Sequence, residues 1–137
     1  MDITRREAMT AALLPFLHLA AGQPLSAQQA PNNAVFTHDL PNLTMDDWQV
    51  TASIITQAPG NAGNAHRHPG FVLVYVLEGE VVTKISGQPE KTYRAGEMFY
   101  EQPGSTHEES KNPSVTKPAK FLALIFAKKG LPLVTPA

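Results

Sequence analysis

With 137 residues, 42% of them hydrophobic and 17% charged, the chain has room for one globular domain and too much apolar content for disorder along its whole length. Lys plus Arg number 11 and Asp plus Glu 12, with no long block of either sign; this excludes a nucleic-acid footprint and a polybasic membrane patch, and leaves a small molecule as the expected partner. Cysteine is absent, which excludes disulfides, thiolate metal sites, a thiol nucleophile and the acylated cysteine of a lipoprotein.

The first element in chain order is Arg5-Arg6, followed by a mildly apolar stretch from Ala8 to Ala21 and then by Gln23-Pro24-Leu25-Ser26-Ala27. A basic start, an apolar middle and a small-residue end predict a cleavable export signal over residues 1–27, and therefore a periplasmic or secreted product. Thr4-Arg5-Arg6-Glu7 resembles a twin-arginine signal, although Ala8 and Thr10 depart from it. The apolar stretch is too short, and too diluted by Thr10, Pro15 and His18, to serve as an integral membrane anchor. Residues 28–47 are expected to form an N-terminal arm, 48–130 the folded domain and 131–137 a C-terminal tail.

From Trp48, the residues Trp48, Val50, Ala52 and Ile54 alternate with Gln49, Thr51, Ser53 and Ile55, which predicts a strand with one strongly apolar face. Phe71 to Leu77 is continuously apolar and β-branched, as in a strand buried on both faces. Further strands are predicted over 80–85, 91–94, 97–101 and 121–126, with Val115 in a short one. The composition of 119–129 would also suit a helix, but its run of large apolar side chains suits a buried strand better. Turn signals at Pro59-Gly60, Pro69-Gly70, Glu78-Gly79, Ser86-Gly87, Ala95-Gly96, Pro103-Gly104 and Asn112-Pro113 separate the strands, so the fold class is all-β, a sandwich or barrel.

Five histidines occur, and two of them form the pair His66-Arg67-His68. Residues two apart on a strand face the same way, so both imidazoles can address one cation while Arg67 points outward. His107 follows the Pro103-Gly104 turn, which can bring it back beside the pair. Three neutral imidazoles suit a divalent transition metal rather than calcium or magnesium.

The stretch Gly60 to Gly70, containing His66 and His68 and running on to Tyr75-Val76-Leu77-Glu78-Gly79-Glu80, resembles the first motif of the cupin superfamily. Gly96 to His107 resembles the second. The resemblance covers roughly residues 48–126 and implies a double-stranded β-helix, a jelly-roll-like barrel with a metal at its mouth. It departs from the family pattern at three places. Val72 stands four positions after His68, where the family places a glutamate ligand. Gln102 replaces the motif's proline, and Lys111 its asparagine.

The resemblance implies His66, His68 and His107 as metal ligands, with iron favoured and zinc, manganese, nickel and copper also compatible. Loss of the glutamate leaves an extra open position, and Glu101 or Glu109 could supply a substitute carboxylate, Glu109 if its strand is regular. Tyr100 and Glu101 are the candidate proton-handling residues. Gln57, Val72, Val74 and Val76 are expected to line a small, dry substrate pocket. Phe71, Leu73, Tyr75 and Leu77 face away from it and require cover from the second sheet or another subunit, which predicts a homodimer. Three functions remain open at this point: an oxygen-dependent oxidoreductase akin to three-histidine dioxygenases, a non-oxidative isomerase or lyase, and a non-catalytic module that binds a metal or small ligand.

Overall fold

The computed structural model describes residues 33–137, and nine strands account for all of its regular secondary structure. They are β1 (Trp48–Gln57), β2 (His66–Arg67), β3 (Phe71–Glu78), β4 (Glu80–Ile85), β5 (Lys91–Arg94), β6 (Met98–Glu101), β7 (Thr106–Lys111), β8 (Ala119–Lys128) and β9 (Thr135–Pro136). The export signal expected over 1–27 and the first residues of the expected arm lie outside the described residues. Among those described, no helix is long and apolar enough to cross a membrane.

The strands form two antiparallel sheets, one in the order β1-β8-β3-β6 and one in the order β5-β4-β7-β2-β9. The fold is therefore all-β, as the strand spacing predicts. The core lies between the sheets. Val72, Val74 and Val76 of β3, Phe99 of β6 and Phe121, Ala123 and Ile125 of β8 meet Val81 and Ile85 of β4. Segment 119–129 forms strand Ala119–Lys128 and no helix, and alternate residues Ala119, Phe121, Ala123, Ile125 and Ala127 are buried while those between them are half-exposed.

Two connections fix the register of the site. Gly70 turns the chain from β2 into β3 against the backbone of β8, where an added Cβ would stand 1.7 Å from the Phe126 carbonyl oxygen, so this approach admits only glycine. In β7 the pairing with β4 slips between Lys84↔Glu109 and Ile85↔His107, a bulge that inserts one extra residue.

The structure settles one open point and corrects two expectations. The apolar face of β1 points outward, with Val50 54% and Ile54 68% exposed, while Thr51, Ser53, Ile55 and Gln57 turn inward. Alternation reveals that a strand has two faces but does not say which one is covered. Val115 is 83% exposed and lies in no strand, since it falls in the turn after Asn112. The tail is part of the fold, because Thr135–Pro136 pairs with His66–Arg67.

Candidate metal centre and cavity

The His-x-His pair occupies β2 and the residue that follows it. His66 pairs directly with His107 of β7, and their ring centroids are 5.1 Å apart. Arg67 is exposed and bonds Thr106 Oγ1, as alternation requires. The Gly104 N–H donates to the His68 carbonyl at 3.0 Å, tying the Pro103-Gly104 turn to the pair.

Both rings of the pair are oriented by backbone carbonyls. His66 Nδ1 lies 2.8 Å from the Asn64 oxygen and His68 Nδ1 lies 2.6 Å from the Leu133 oxygen. A carbonyl can only accept, so each neutral ring carries its proton on Nδ1 and presents a lone pair at Nε2. These two Nε2 atoms face each other at 3.2 Å, and two lone pairs at that distance repel. Glu101 Oε2 stands 3.7 Å from His68 Nε2 and is buried without a hydrogen-bond partner.

A cation between these atoms would relieve both the repulsion and the orphaned oxygen. Around one ion with metal–nitrogen bonds of about 2.1 Å, neighbouring donors stand roughly 3.0 to 3.4 Å apart. The donor atoms of His66, His68 and Glu101 all lie within 4.8 Å of one another, so this trio fits a divalent transition metal.

Glu101 reaches this position through strand register. It pairs with Val72 across β3 and β6, at the end of the inward-facing row Thr51–Ile125–Val72–Glu101. The carboxylate missing at Val72 is thus present on the neighbouring strand. His107 is close but differently engaged, with Nε2 bonded to Thr83 Oγ1 and Nδ1 3.2 Å from Glu101 Oε1. Burial holds His68 below the ordinary histidine range, against the upward pull of Glu101 and of the Leu133 carbonyl, so that it stays neutral and available as a donor.

These groups open onto a cavity of about 340 Å³ lined largely by apolar side chains, Val72, Val74, Phe99, Phe121 and Ile125 among them. Gln57 also lines it. Its Nε2 donates to the carbonyl and hydroxyl oxygens of Ser110 at 3.1 Å each, which fixes the amide and leaves Oε1 without a protein partner. Val76 is fully buried but does not line the cavity.

Tyr100 is not brought to this site. It follows Phe99 and precedes Glu101, so it points to the outer face, where its ring packs 4.1 Å from His38 and 5.9 Å from Phe71. Glu109 is turned away from the cavity by the β7 bulge, which brings Ser110 inward beside His107 instead. The same extra residue explains Lys111: one position later, fully buried Asn112 donates to the carbonyls of Gln57, Ala58 and Lys117. Leu133 and Val134 fall in the stretch expected to be a C-terminal tail, yet both line the cavity.

Residues 53–125, more than half of the chain, match the family described as Cupin domain. Among solved structures, the DMSP lyase DddQ from Ruegeria pomeroyi is similar at 17% identity and a TM-score of 0.55, over 64% of this chain and 43% of that one. A variant oxalate decarboxylase from B. subtilis is similar at 16% identity and a TM-score of 0.55, over 64% of this chain and 24% of that one. An RmlC-like cupin from Shewanella frigidimarina is similar at 23% identity and a TM-score of 0.51, over 59% of this chain and 68% of that one. The chain spans less than half the length of the DMSP lyases it matches. At these identities the likeness is one of fold. A search among curated protein sequences finds no match. With motifs, topology and family match in agreement, the chain belongs to the cupin family.

Proposed function

We propose that the chain is a metal-dependent enzyme in which His66, His68 and Glu101 hold a divalent transition metal, with His107 beside them bonded to Glu101 and Thr83, and in which a small, largely apolar organic substrate occupies the adjoining cavity. The carrying observation is the convergence of two Nε2 lone pairs and an unpaired carboxylate oxygen on one point at an apolar cavity. Imidazole and carboxylate donors favour iron, with zinc, manganese, nickel and copper also compatible. Bound there, iron would supply oxygen activation, and the reaction class we infer is an oxygen-dependent oxidation of the dioxygenase type. The valines and phenylalanines of the cavity exclude water, Gln57 Oε1 accepts a hydrogen bond from a substrate donor, and Glu101 Oε1 with His107 Nδ1 holds a proton at the edge of the site.

The test is oxygen uptake by iron-loaded protein across panels of thiols, diketones and phenolic acids. Stoichiometric iron with no uptake on any panel would count decisively against oxidation. A non-oxidative isomerase or lyase is the second reading, favoured by the buried Glu101–His107 pair as a proton store. It requires turnover by the zinc form without oxygen. Absence of turnover with every metal would leave a binding module.

We also infer export to the periplasm or beyond, from Arg5-Arg6 and the apolar stretch after it. The expected outcome is a secreted product lacking residues 1–27, checked by N-terminal sequencing. A homodimer is supported by the outer face of the β1-β8-β3-β6 sheet, where the rows Ala52–Leu124–Leu73–Tyr100 and Ile54–Leu122–Tyr75–Met98 are apolar from edge to edge.

A further inference from the structure

The segment after Gly130 makes contacts that the ligand set does not explain. Its Leu133 carbonyl accepts the Nδ1–H of His68, the Leu133 side chain packs on the core, and Leu133 and Val134 together close one wall of the cavity. Without that carbonyl, nothing among the described hydrogen bonds would decide which nitrogen of His68 carries the proton. His66 differs, because its Nδ1 is tied to Asn64 only two residues away.

The segment is lightly attached. It leaves β8 at Gly130, which has a φ of +82°, and is paired through the two-residue strand Thr135–Pro136. Leu131 and Val134 are 45% and 52% exposed, so its main anchor is Leu133. A segment with so few buried contacts opens at lower free energy than the strands beneath it.

We propose that residues 130–137 act as a positioning strap for the metal centre: the Leu133 carbonyl fixes the His68 tautomer with Nε2 toward the metal, and the Leu133 side chain latches the strap to the barrel. Leu133 acts through His68 and touches neither metal nor substrate in this role, so the strap sets how well the metal is gripped. Opening of the strap frees the imidazole to exchange tautomers and rotate, and the metal site loosens with it. The inference rests on the metal-centre reading above, and its experiment separates the two.

Two full-length variants test it. Leu133→Asp places a charge at the latch and expels the strap; Leu133→Ala only shortens the latch, and keeps the experiment decisive if the larger change unfolds the barrel. In metal-free protein with labelled histidines, nitrogen NMR should find His68 in the Nδ1–H tautomer in the parent, and a tautomer mixture that grows from Leu133→Ala to Leu133→Asp. His66 should be unchanged throughout. Cobalt(II) titrations followed by visible absorption should show affinity reduced by about 10- to 100-fold in Leu133→Asp, the range for loss of a group that orients a ligand. An unchanged His68 tautomer in the folded variants would overturn the strap, as would cobalt affinity equal to that of the parent. Failure of the parent to bind cobalt would instead overturn the metal centre, while the tautomer measurement would still decide the strap.

Discussion

The two faces of the β1-β8-β3-β6 sheet both mix polar and apolar side chains, but to different ends. The inner face carries the polar groups, Gln57, Ser53 and Glu101, in a setting of valine and phenylalanine. The outer face has two rows that are apolar across all four strands, beside the polar row Thr56–Lys120–Glu78, and several of its apolar side chains are exposed. Burial alone therefore does not sort the residues. Gln57 and Glu101 are retained inside because each has a partner and one atom open to another, whereas the outer apolar groups lie in rows that a second flat surface would cover.

The sharpest way to break this comparison is to charge one face at a time. Ile54 and Ile55 are neighbours on β1, one 68% exposed on the outer face and the other packed against the core. Ile55→Glu buries an unpaired carboxylate and should cost roughly 3 kcal/mol in denaturant unfolding, whereas Ile54→Glu should change the barrel's own stability by no more than about 0.5 kcal/mol. Ile54→Glu should instead convert the proposed dimer to a monomer in light scattering. Equal losses at the two sites would mean that the faces are not distinct.

The next largest effect concerns the carboxylate. Glu101→Val should weaken cobalt affinity by about 100-fold, or about 2.7 kcal/mol, at the upper end of the range for loss of a group that only orients a ligand. Tyr100→Phe, one residue away on the outer face, should leave affinity unchanged. Because Val72 and Glu101 are cross-strand partners, the double change Val72→Glu with Glu101→Val moves the carboxylate by one strand on the same face. It should recover most of the lost affinity. Failure of both the single loss and the rescue would remove Glu101 from the metal centre.

The strands and the inward aim of His66 and His68 were legible in the sequence because both depend on period-2 alternation and turn residues, which are local. What alternation could not supply was the choice of face: it puts Tyr100 and Glu101 on opposite sides of β6 without saying which is inward, and leaves the covered side of β1 open. Glu101 was visible as a substitute carboxylate, but its pairing with Val72 is a long-range register that no local pattern encodes. The β7 bulge hid two further positions, since one extra residue turns Glu109 out and moves the structural asparagine from 111 to Asn112. The role of Leu133 was least legible, because the carbonyl that holds His68 is a backbone atom and any residue could provide it.

The smallest expected effect is on pH dependence, and it measures what the inner face costs when it is charged. Burial depresses the His68 pKa below the ordinary 6.5 in the folded protein, so below that pH the unfolded chain binds the extra proton more readily than the folded one. The His68 contribution to stability is thus fully present above pH 6.5 and is lost as pH falls from there through the folded value. Thermal unfolding of metal-free protein between pH 8 and pH 5 should show a decline on the acidic side. His68→Asn should have a shallower slope in that window, because the group that must be charged inside the barrel is gone. Tyr100→Phe, on the outer face, should follow the parent. A His68→Asn slope equal to that of the parent would show that the imidazole reaches water before it takes its proton, and that the inner face is less closed than its apolar lining implies.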